Sequence, residues 1–207
     1  MRTEMLTMSA IFGIAGLFVE PVYIRDWWQP LTIFGTSIGL EDFLFGALIG
    51  GISAVSYEVI FKRRLYPRKS RSRERTFYES YLFLGSIMLC GALFYATFLA
   101  GFSSFISSLV ALSIATLLIW FHREDLIVDS LASGFLLVFF GLSWFGIAEC
   151  ITPGWVEKYW LHANLSNVII LNAPLEDIVW GFLAGTYIGP LYEFWKEGKL
   201  VPLRKRK

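Results

Sequence analysis

The sequence predicts an all-α integral membrane protein with about six transmembrane helices, a parallel internal duplication and both termini in the cytoplasm. Three observations predict this class: an apolar composition, apolar segments of membrane-spanning length, and basic residues concentrated on one side. Hydrophobic residues make up 56% and charged residues 17% of the 207 residues, whereas a soluble domain carries about a quarter charged residues. With a mean hydropathy of +0.57, the chain is expected to be a multi-pass protein of the plasma membrane.

Six apolar segments are long enough to cross a bilayer, which takes about 20 helical residues. They are predicted at Met5–Ile24, Leu40–Phe61, Ser80–Leu99, Ser104–Phe121, Ile127–Cys150 and Leu175–Trp195. The first segment contains Glu20, and no small-residue cleavage site follows it. It is therefore interpreted as a true helix and not as a signal peptide.

The basic residues predict the orientation, because 16 of the 18 Lys and Arg residues fall on one side of these spans. The 16 are Arg2, eight residues in Lys62–Arg75, Arg123, and six residues in Lys196–Lys207. Only Arg25 and Lys158 are predicted on the other side. The positive-inside rule then places both termini in the cytoplasm. Basic segments of this kind contact anionic lipids, so membrane lipids are expected partners and nucleic acid is not.

A segment of 23 residues occurs twice, at an offset of 135 residues. Leu40–Lys62 reads LEDFLFGALIGGISAVSYEVIFK and Leu175–Glu197 reads LEDIVWGFLAGTYIGPLYEFWKE. Eight positions are identical: Leu40, Glu41, Asp42, Gly46, Leu48, Gly50, Tyr57 and Glu58 recur as Leu175, Glu176, Asp177, Gly181, Leu183, Gly185, Tyr192 and Glu193. An apolar composition raises chance matches between Leu or Gly, but not between acids, so the repeat is interpreted as a duplication.

The duplication extends upstream, where each preceding helix ends in a glutamate, Glu20 or Glu149, followed by a loop that contains tryptophans. Helices 1 and 2 are therefore predicted to correspond to helices 5 and 6 in the same orientation. This divides the chain into a first repeat unit (1–62), a basic cytoplasmic loop with linking helices 3 and 4 (63–126), a second repeat unit (127–197) and a basic cytoplasmic tail (198–207).

Helical periodicity divides the repeated residues of helix 2 into two faces. The face with a predicted packing role carries Asp42, Gly46, Gly50 and Tyr57. Its GxxxG spacing, which recurs as Gly181 and Gly185, lets two helix backbones approach closely. The other face presents Glu41 beside Phe45, and so predicts a carboxyl group next to an aromatic ring.

The acids are expected at two depths. Near the outer interface lie Glu20, Glu41, Glu149 and Glu176. Glu58 and Glu193 lie about 25 Å further in, at 1.5 Å per residue. Helix capping explains Asp42 and Asp177 well and could also explain the glutamates beside them. It does not explain Glu20 and Glu149, which close helices at the end where the dipole disfavours acids.

Acid catalysis is the functional interpretation of these carboxyl groups. In apolar surroundings with other carboxylates nearby, such groups have raised pKa values and can protonate a carbon–carbon double bond. The resulting carbocation is stabilised by aromatic faces, for which the candidates are Phe45, Trp180, Trp27, Trp28 and Trp155. The alternative for these rings is the aromatic belt that membrane proteins carry at the interface.

Other chemistries find less support. His122 and His162 are predicted on opposite sides of the membrane, and no nucleotide-binding glycine motif occurs. Cys90 and Cys150 lie within apolar spans and are interpreted as free thiols. An acidic cluster could bind Mg²⁺ for a prenyl transferase, but the outer side has few cations for a diphosphate. No metal site and no cofactor are therefore predicted.

At these residues the sequence resembles the membrane lycopene cyclase domain family, the flavin-independent type of archaea, actinobacteria and fungal fusion proteins. That family carries a Pro-x-Glu-(Glu/Asp) motif at the start of a transmembrane helix in each half, with Tyr-Glu near the helix end. Pro174–Asp177 match this motif and are followed by Tyr192 and Glu193. In the first half the acids and the Tyr-Glu pair also match, but Gly39 replaces the proline. The resemblance also implies a leading helix for that half, which either is absent or lies upstream of the start site of this sequence.

The resemblance implies a carotenoid (lycopene) cyclase-like isomerase that closes a ring at the end of an apolar polyene without net redox change. Glu176, with Glu41 as its repeat partner, is the expected proton donor. Glu20 and Glu149 would act as neighbours that raise its pKa or as the final base. Two other classes stay open: a non-enzymatic small membrane protein (a transporter or lipid-binding scaffold) and a prenyl transferase.

Overall fold

The computed structural model describes residues 1–66 and 73–203, except for the side chains of 73–79. Most of this part of the chain is helical. The helices are α1 (Arg2–Asp26), α2 (Leu40–Ile60), α3 (Arg73–Leu99), α4 (Ser104–His122), α5 (Ile127–Ile151), α6 (Trp155–Tyr159), α7 (Leu175–Ile188) and α8 (Leu191–Lys196). Positions 67–72 of the predicted basic loop and 204–207 of the predicted basic tail lie outside the described residues.

Among the described residues, five helical segments are long and apolar enough to cross a membrane. They are Arg2–Asp26, Leu40–Ile60, Ser80–Leu99, Ser104–His122 and Glu124–Ile151. The predicted membrane class and its helical character are thereby confirmed.

The predicted sixth span, Leu175–Trp195, differs from the prediction because it is two helices, α7 and α8, and not one. Pro190 separates them, since proline has no N–H and its ring clashes with the carbonyl group four residues earlier. That carbonyl belongs to Thr186, which instead accepts a hydrogen bond from Ser130 Oγ at 2.5 Å. A side chain of α5 therefore satisfies the backbone group that the break releases.

The helices pack as pairs: α1 against α2, α5 against α7, and α3 against α4. Glycines bring two of these pairs close. A Cβ atom at Gly46 would overlap the Phe12 carbonyl of α1, and one at Gly185 would lie 2.7 Å from the Ser133 carbonyl oxygen of α5. Gly181 departs from its predicted packing role, because a Cβ there would meet no atom within 4 Å.

Two small antiparallel sheets close the ends of the bundle. β1 (Arg63–Tyr66) pairs with β4 (Lys199–Pro202), beside the start of α1 and the end of α2; we call this the basic end. β2 (Ile169–Ile170) pairs with β3 (Ala173–Pro174) in a hairpin that leads directly into α7. The end that contains this hairpin and the loop after α1 is the tryptophan end.

Candidate functional site

At the tryptophan end, the loop after α1 pairs with the segment around α6. Trp28 and Trp160 form an isolated antiparallel bridge. The Gln29 amide donates to the Tyr159 carbonyl at 2.7 Å, and the Leu161 amide donates to the Trp27 carbonyl at 2.8 Å. The two tryptophan-bearing loops, which are 130 residues apart in sequence, therefore form one layer over this end of the bundle.

The structure brings the five predicted aromatic residues into one network. Phe45 stacks on Trp180 with ring centroids 6.1 Å apart. Trp28 lies 6.2 Å from Phe45 and 5.6 Å from Trp160, which in turn lies 4.9 Å from Trp155. We call the whole group the aromatic cluster; it comprises Tyr23, Trp27, Trp28, Phe45, Phe105, Phe145, Trp155, Trp160 and Trp180.

Four members of the aromatic cluster were not among the predicted site residues: Trp160, Tyr23, Phe105 and Phe145. Trp160 lies at the centre of the cluster and is 6% exposed. Its place in a tryptophan-rich loop was the available signal for it. Phe105 approaches Trp27 at 5.6 Å from α4, and nothing in the sequence indicates that α4 lies beside the loop after α1.

Asp177 is the carboxyl group that the aromatic cluster contacts most directly. Its Oδ2 accepts hydrogen bonds from Trp27 Nε1 at 3.2 Å and from Trp160 Nε1 at 2.9 Å. An indole N–H can only donate, so both rings are held by this one acceptor. A second polar chain runs beside it, in which Trp180 Nε1 donates to the Tyr23 hydroxyl at 3.0 Å. Helix capping was the interpretation of Asp177 from the sequence, but the two indoles that donate to its side chain belong to the candidate site.

The repeat-related glutamates each accept a hydrogen bond from the loop that precedes their helix. The Ser166 amide donates to Glu176 Oε1 at 2.6 Å, and the Ile33 amide donates to Glu41 Oε1. In both residues Oε2 is buried and has no hydrogen-bond partner among the described residues. Glu176 is only 5% exposed, whereas Glu41 is half-buried. Each glutamate thus holds a loop with one oxygen and keeps the other free.

The glutamates that end α1 and α5 have different surroundings. Glu20 is 5% exposed and lies near Asp42 and Trp28, and within residues 1–66 and 80–203 its Oε1 has no hydrogen-bond partner. Glu149 is half-buried, and its Oε1 accepts a hydrogen bond from the Gly154 amide at 2.6 Å. Glu149 therefore stabilises the turn into α6, while Glu20 retains a free buried oxygen.

The repeated Tyr-Glu pairs lie at the basic end, far along the helices from the aromatic cluster. Glu58 is 1% exposed and Glu193 is fully buried, and both meet Glu4 of α1. One oxygen from each of the three lies within 4.8 Å of the others. Glu4 was absent from the predicted site residues, because no repeat-related acid marks it.

The lycopene cyclase family model matches residues 103–195. The matched region contains α4 to α7 and nearly all of α8, and hence Glu176, Asp177 and three tryptophans of the aromatic cluster. The resemblance predicted from the sequence is confirmed. No curated protein and no solved structure matches the chain.

Proposed function

We propose that this protein is a lycopene cyclase-like isomerase, which closes a ring at the end of a polyene by acid catalysis without net redox change. One observation carries the proposal: the matched region contains two adjacent acids at the start of α7, the buried Glu176 and the half-buried Asp177, and Asp177 bonds two rings of the aromatic cluster. The family match supports the carotenoid chemistry, and this geometry supports the acid mechanism.

The reaction needs an acid, a cation-stabilising surface and a base. A carboxylic acid gives its proton to the terminal double bond, the electron pair of an inner double bond forms the ring bond, and a cation remains on the ring. Aromatic faces stabilise that cation. Loss of a proton from the neighbouring carbon restores a double bond, so the product is an isomer of the substrate.

Glu176 is the proposed proton donor, because Oε1 is fixed by the Ser166 amide while Oε2 is buried and free. It is preferred over its repeat partner Glu41, which is more exposed. Glu20, with a free buried oxygen, is the proposed final base. Asp177 is a positioning residue that orients the indoles of Trp27 and Trp160.

The proposed membrane arrangement follows the charge distribution. The basic end faces the cytoplasm with both termini, and α7 and α8 together make the sixth crossing. Alone, the 14 residues of α7 would span about 21 Å at 1.5 Å per residue. The tryptophan end then lies at the opposite interface, where one end of a bilayer-length polyene would reach it.

The first experiment is pigment analysis in a lycopene-producing host that expresses the full chain. We expect the wild-type protein to convert lycopene into a cyclised carotenoid, which is measured by liquid chromatography. E176Q should lower conversion by about 100-fold or more, because general acid catalysis contributes roughly 10²–10⁴-fold. E157Q is the control, since Glu157 lies on the exposed face of α6 at the same end. Unchanged lycopene with the wild-type protein, or full conversion by E176Q, would contradict the proposal.

A second candidate function is coupled transport by a small non-enzymatic membrane protein. It is favoured by buried carboxyl oxygens without partners at both ends of the bundle, in Glu20 and Glu176 and in Glu58 and Glu193. Reconstituted vesicles would distinguish it, because proton or solute flux would then depend on Glu176 while pigment extracts stayed unchanged. No contact among the described residues favours a prenyl transferase.

A further inference from the structure

Three carboxyl groups meet at the basic end, well away from the aromatic cluster. Glu4 comes from the first turn of α1, Glu58 from the last turn of α2 and Glu193 from α8. Their exposed fractions are 0%, 1% and 0%, and one oxygen from each lies within 4.8 Å of the others. The group therefore draws a carboxylate from each copy of the repeated Tyr-Glu motif.

The oxygens of this group lack ordinary partners. Among the described residues, the donors near the six carboxylate oxygens are limited to the Met1 amino group, the Leu65 amide and protons shared between the glutamates themselves. The α-amino group of Met1 lies 3.0 Å from Glu4 Oε2 and 3.9 Å from Glu58 Oε2. One ammonium group against three buried carboxyl groups leaves an excess of acid, which is costly in a buried site unless further charge compensates it.

The nearby arginine does not supply that charge. Arg123 reaches the backbone oxygen of Glu193 at 3.4 Å. Its Nε and Nη2, however, donate to the two carboxylate oxygens of Asp125 at 2.7 and 2.8 Å. This guanidinium is therefore paired directly with Asp125, and Glu193 attracts it only electrostatically. Arg64 attracts Glu58 from an exposed position on β1, where solvent screens it.

A fourth carboxyl group, from α5, adds an independent indication of a ligand. Asp129 is 4% exposed, and its Oδ2 is buried without a hydrogen-bond partner in the part of the chain that the structure describes. It interacts electrostatically with Glu4, Glu58 and Glu193. Beside Asp129 lies a cavity of about 210 Å³, which is also lined by Tyr57, Arg63, Asp125 and Lys199. A small ligand could therefore reach Asp129 from the basic end.

We infer that Glu4, Glu58 and Glu193, with Asp129 beside them, bind one divalent cation of the size of Ca²⁺. A point equidistant from three atoms that lie within 4.8 Å of one another is at most about 2.8 Å from each, which leaves room for the 2.3–2.6 Å of Ca²⁺–oxygen bonds. Mg²⁺ needs about 2.0–2.1 Å and a regular octahedron. The absence of His and Cys from this group disfavours zinc and copper.

Such a cation would join elements that are distant in sequence. Glu4 and Glu58 belong to the α1–α2 pair, Asp129 to α5 and Glu193 to α8. Binding would therefore link the first repeat unit to the second at the basic end. The cation has no part in the proposed cyclisation, so the inference stands or fails independently of that proposal.

The test uses the full chain in detergent micelles, freed of metal and then titrated with Tb³⁺, which substitutes for Ca²⁺. Tyr192 interacts electrostatically with the three glutamates, so it lies close enough to sensitise Tb³⁺ luminescence. We expect one Tb³⁺ site that Ca²⁺ empties, with Mg²⁺ at least 10-fold weaker. Ca²⁺ should also raise the thermal midpoint of unfolding, because a ligand that binds only the folded state stabilises it.

Matched variants locate the site. E58Q and E193Q should each weaken Ca²⁺ binding at least 10-fold. E124Q should leave it unchanged, because Glu124 is an exposed acid at the same end. Should a glutamine variant fail to fold, E58D and E193D keep the charge and must still shift the Ca²⁺ affinity. The inference is overturned if the wild-type protein shows no stoichiometric site, or if E58Q and E193Q bind as tightly as E124Q. The first result would assign the carboxyl groups to the Met1 amine and shared protons alone.

Discussion

The two Leu-Glu-Asp helix starts have the same sequence but different partners. In α2, Asp42 Oδ2 accepts a hydrogen bond from the Gly39 amide at 2.7 Å, a local contact three residues back. In α7, Asp177 Oδ2 accepts instead from the indoles of Trp27 and Trp160, which lie 150 and 17 residues away. Asp42 holds the start of its own helix, and Asp177 binds two loops to the start of α7.

One residue explains much of this difference. The N-cap of α2 is Gly39, whose N–H is free to donate to the aspartate three residues later. The N-cap of α7 is Pro174, which has no N–H to offer. Asp177 therefore lacks the local donor that Asp42 has, and its oxygen is available to the tryptophans. The proline of the Pro-x-Glu-Asp motif thus helps to direct the aspartate into the aromatic cluster.

The largest expected effect comes from removing these two aspartates in turn. D177A leaves two buried indole N–H groups without an acceptor, at about 1–3 kcal/mol each. D42A removes only a helix-start contact, at about 0.5–2 kcal/mol. We expect D177A to lower the thermal midpoint more than D42A and to reduce lycopene conversion strongly, while D42A keeps most conversion. Equal losses in the two variants would mean that both aspartates serve the fold alone.

The sequence predicted the classes of residue at this site better than their contacts. Apolar segments and the ends of helices indicated which acids and rings share the tryptophan end, since depth follows from position along a helix. The contact of Trp27 and Trp160 with Asp177 depends on the pairing of two loops, and no sequence pattern predicts that pairing. Tyr23 and Phe105 were missed for the same reason, because they come from helices whose neighbours are not encoded locally.

The fold shows the same limit. Pro190 was a visible signal for the break between α7 and α8, but the apolar run around it predicted a continuous span. Glycine spacing predicted close helix contacts at both Gly46 and Gly181. In the structure Gly46 lies against the backbone of a neighbouring helix, whereas Gly181 does not. Whether a glycine faces another backbone depends on the rotation of its neighbour helix, which a motif within one helix does not specify.

Alanine substitutions at Gly46 and Gly181 test the difference between the two repeated helices a second time, with a smaller expected change in stability. G46A drives a Cβ into the backbone carbonyl of Phe12, whereas G181A places it in open space. Overpacking costs about 1–3 kcal/mol, while alanine in an open helix position can gain up to about 1 kcal/mol over glycine. We expect G46A to lower the unfolding midpoint in detergent and G181A to leave it unchanged or raise it. Similar losses in both would place a neighbour against Gly181.

The smallest change in stability is expected from a substitution at the residue before the helix, where α2 has Gly39 and α7 has Pro174. P174G restores an N–H at the N-cap of α7, and glycine adopts the φ of −58° found there without strain. The new amide should compete with the indoles for Asp177, as Gly39 binds Asp42 in α2. The added freedom of the unfolded chain should lower the stability by about 0.4–1 kcal/mol, and loss of the fully buried Pro174 ring adds a packing cost.

The measurement for P174G is nuclear magnetic resonance of protein labelled with ¹⁵N-tryptophan, in which the indole signals of Trp27 and Trp160 are assigned by substitution. Weaker hydrogen bonds to Asp177 should move both signals upfield, while the indole signal of Trp180, which bonds Tyr23, stays in place. P153G, in the exposed turn before α6, controls for the loss of a proline at the same end. If the two signals keep their positions in P174G, the proline does not direct Asp177, and the layer formed by the paired loops does so alone.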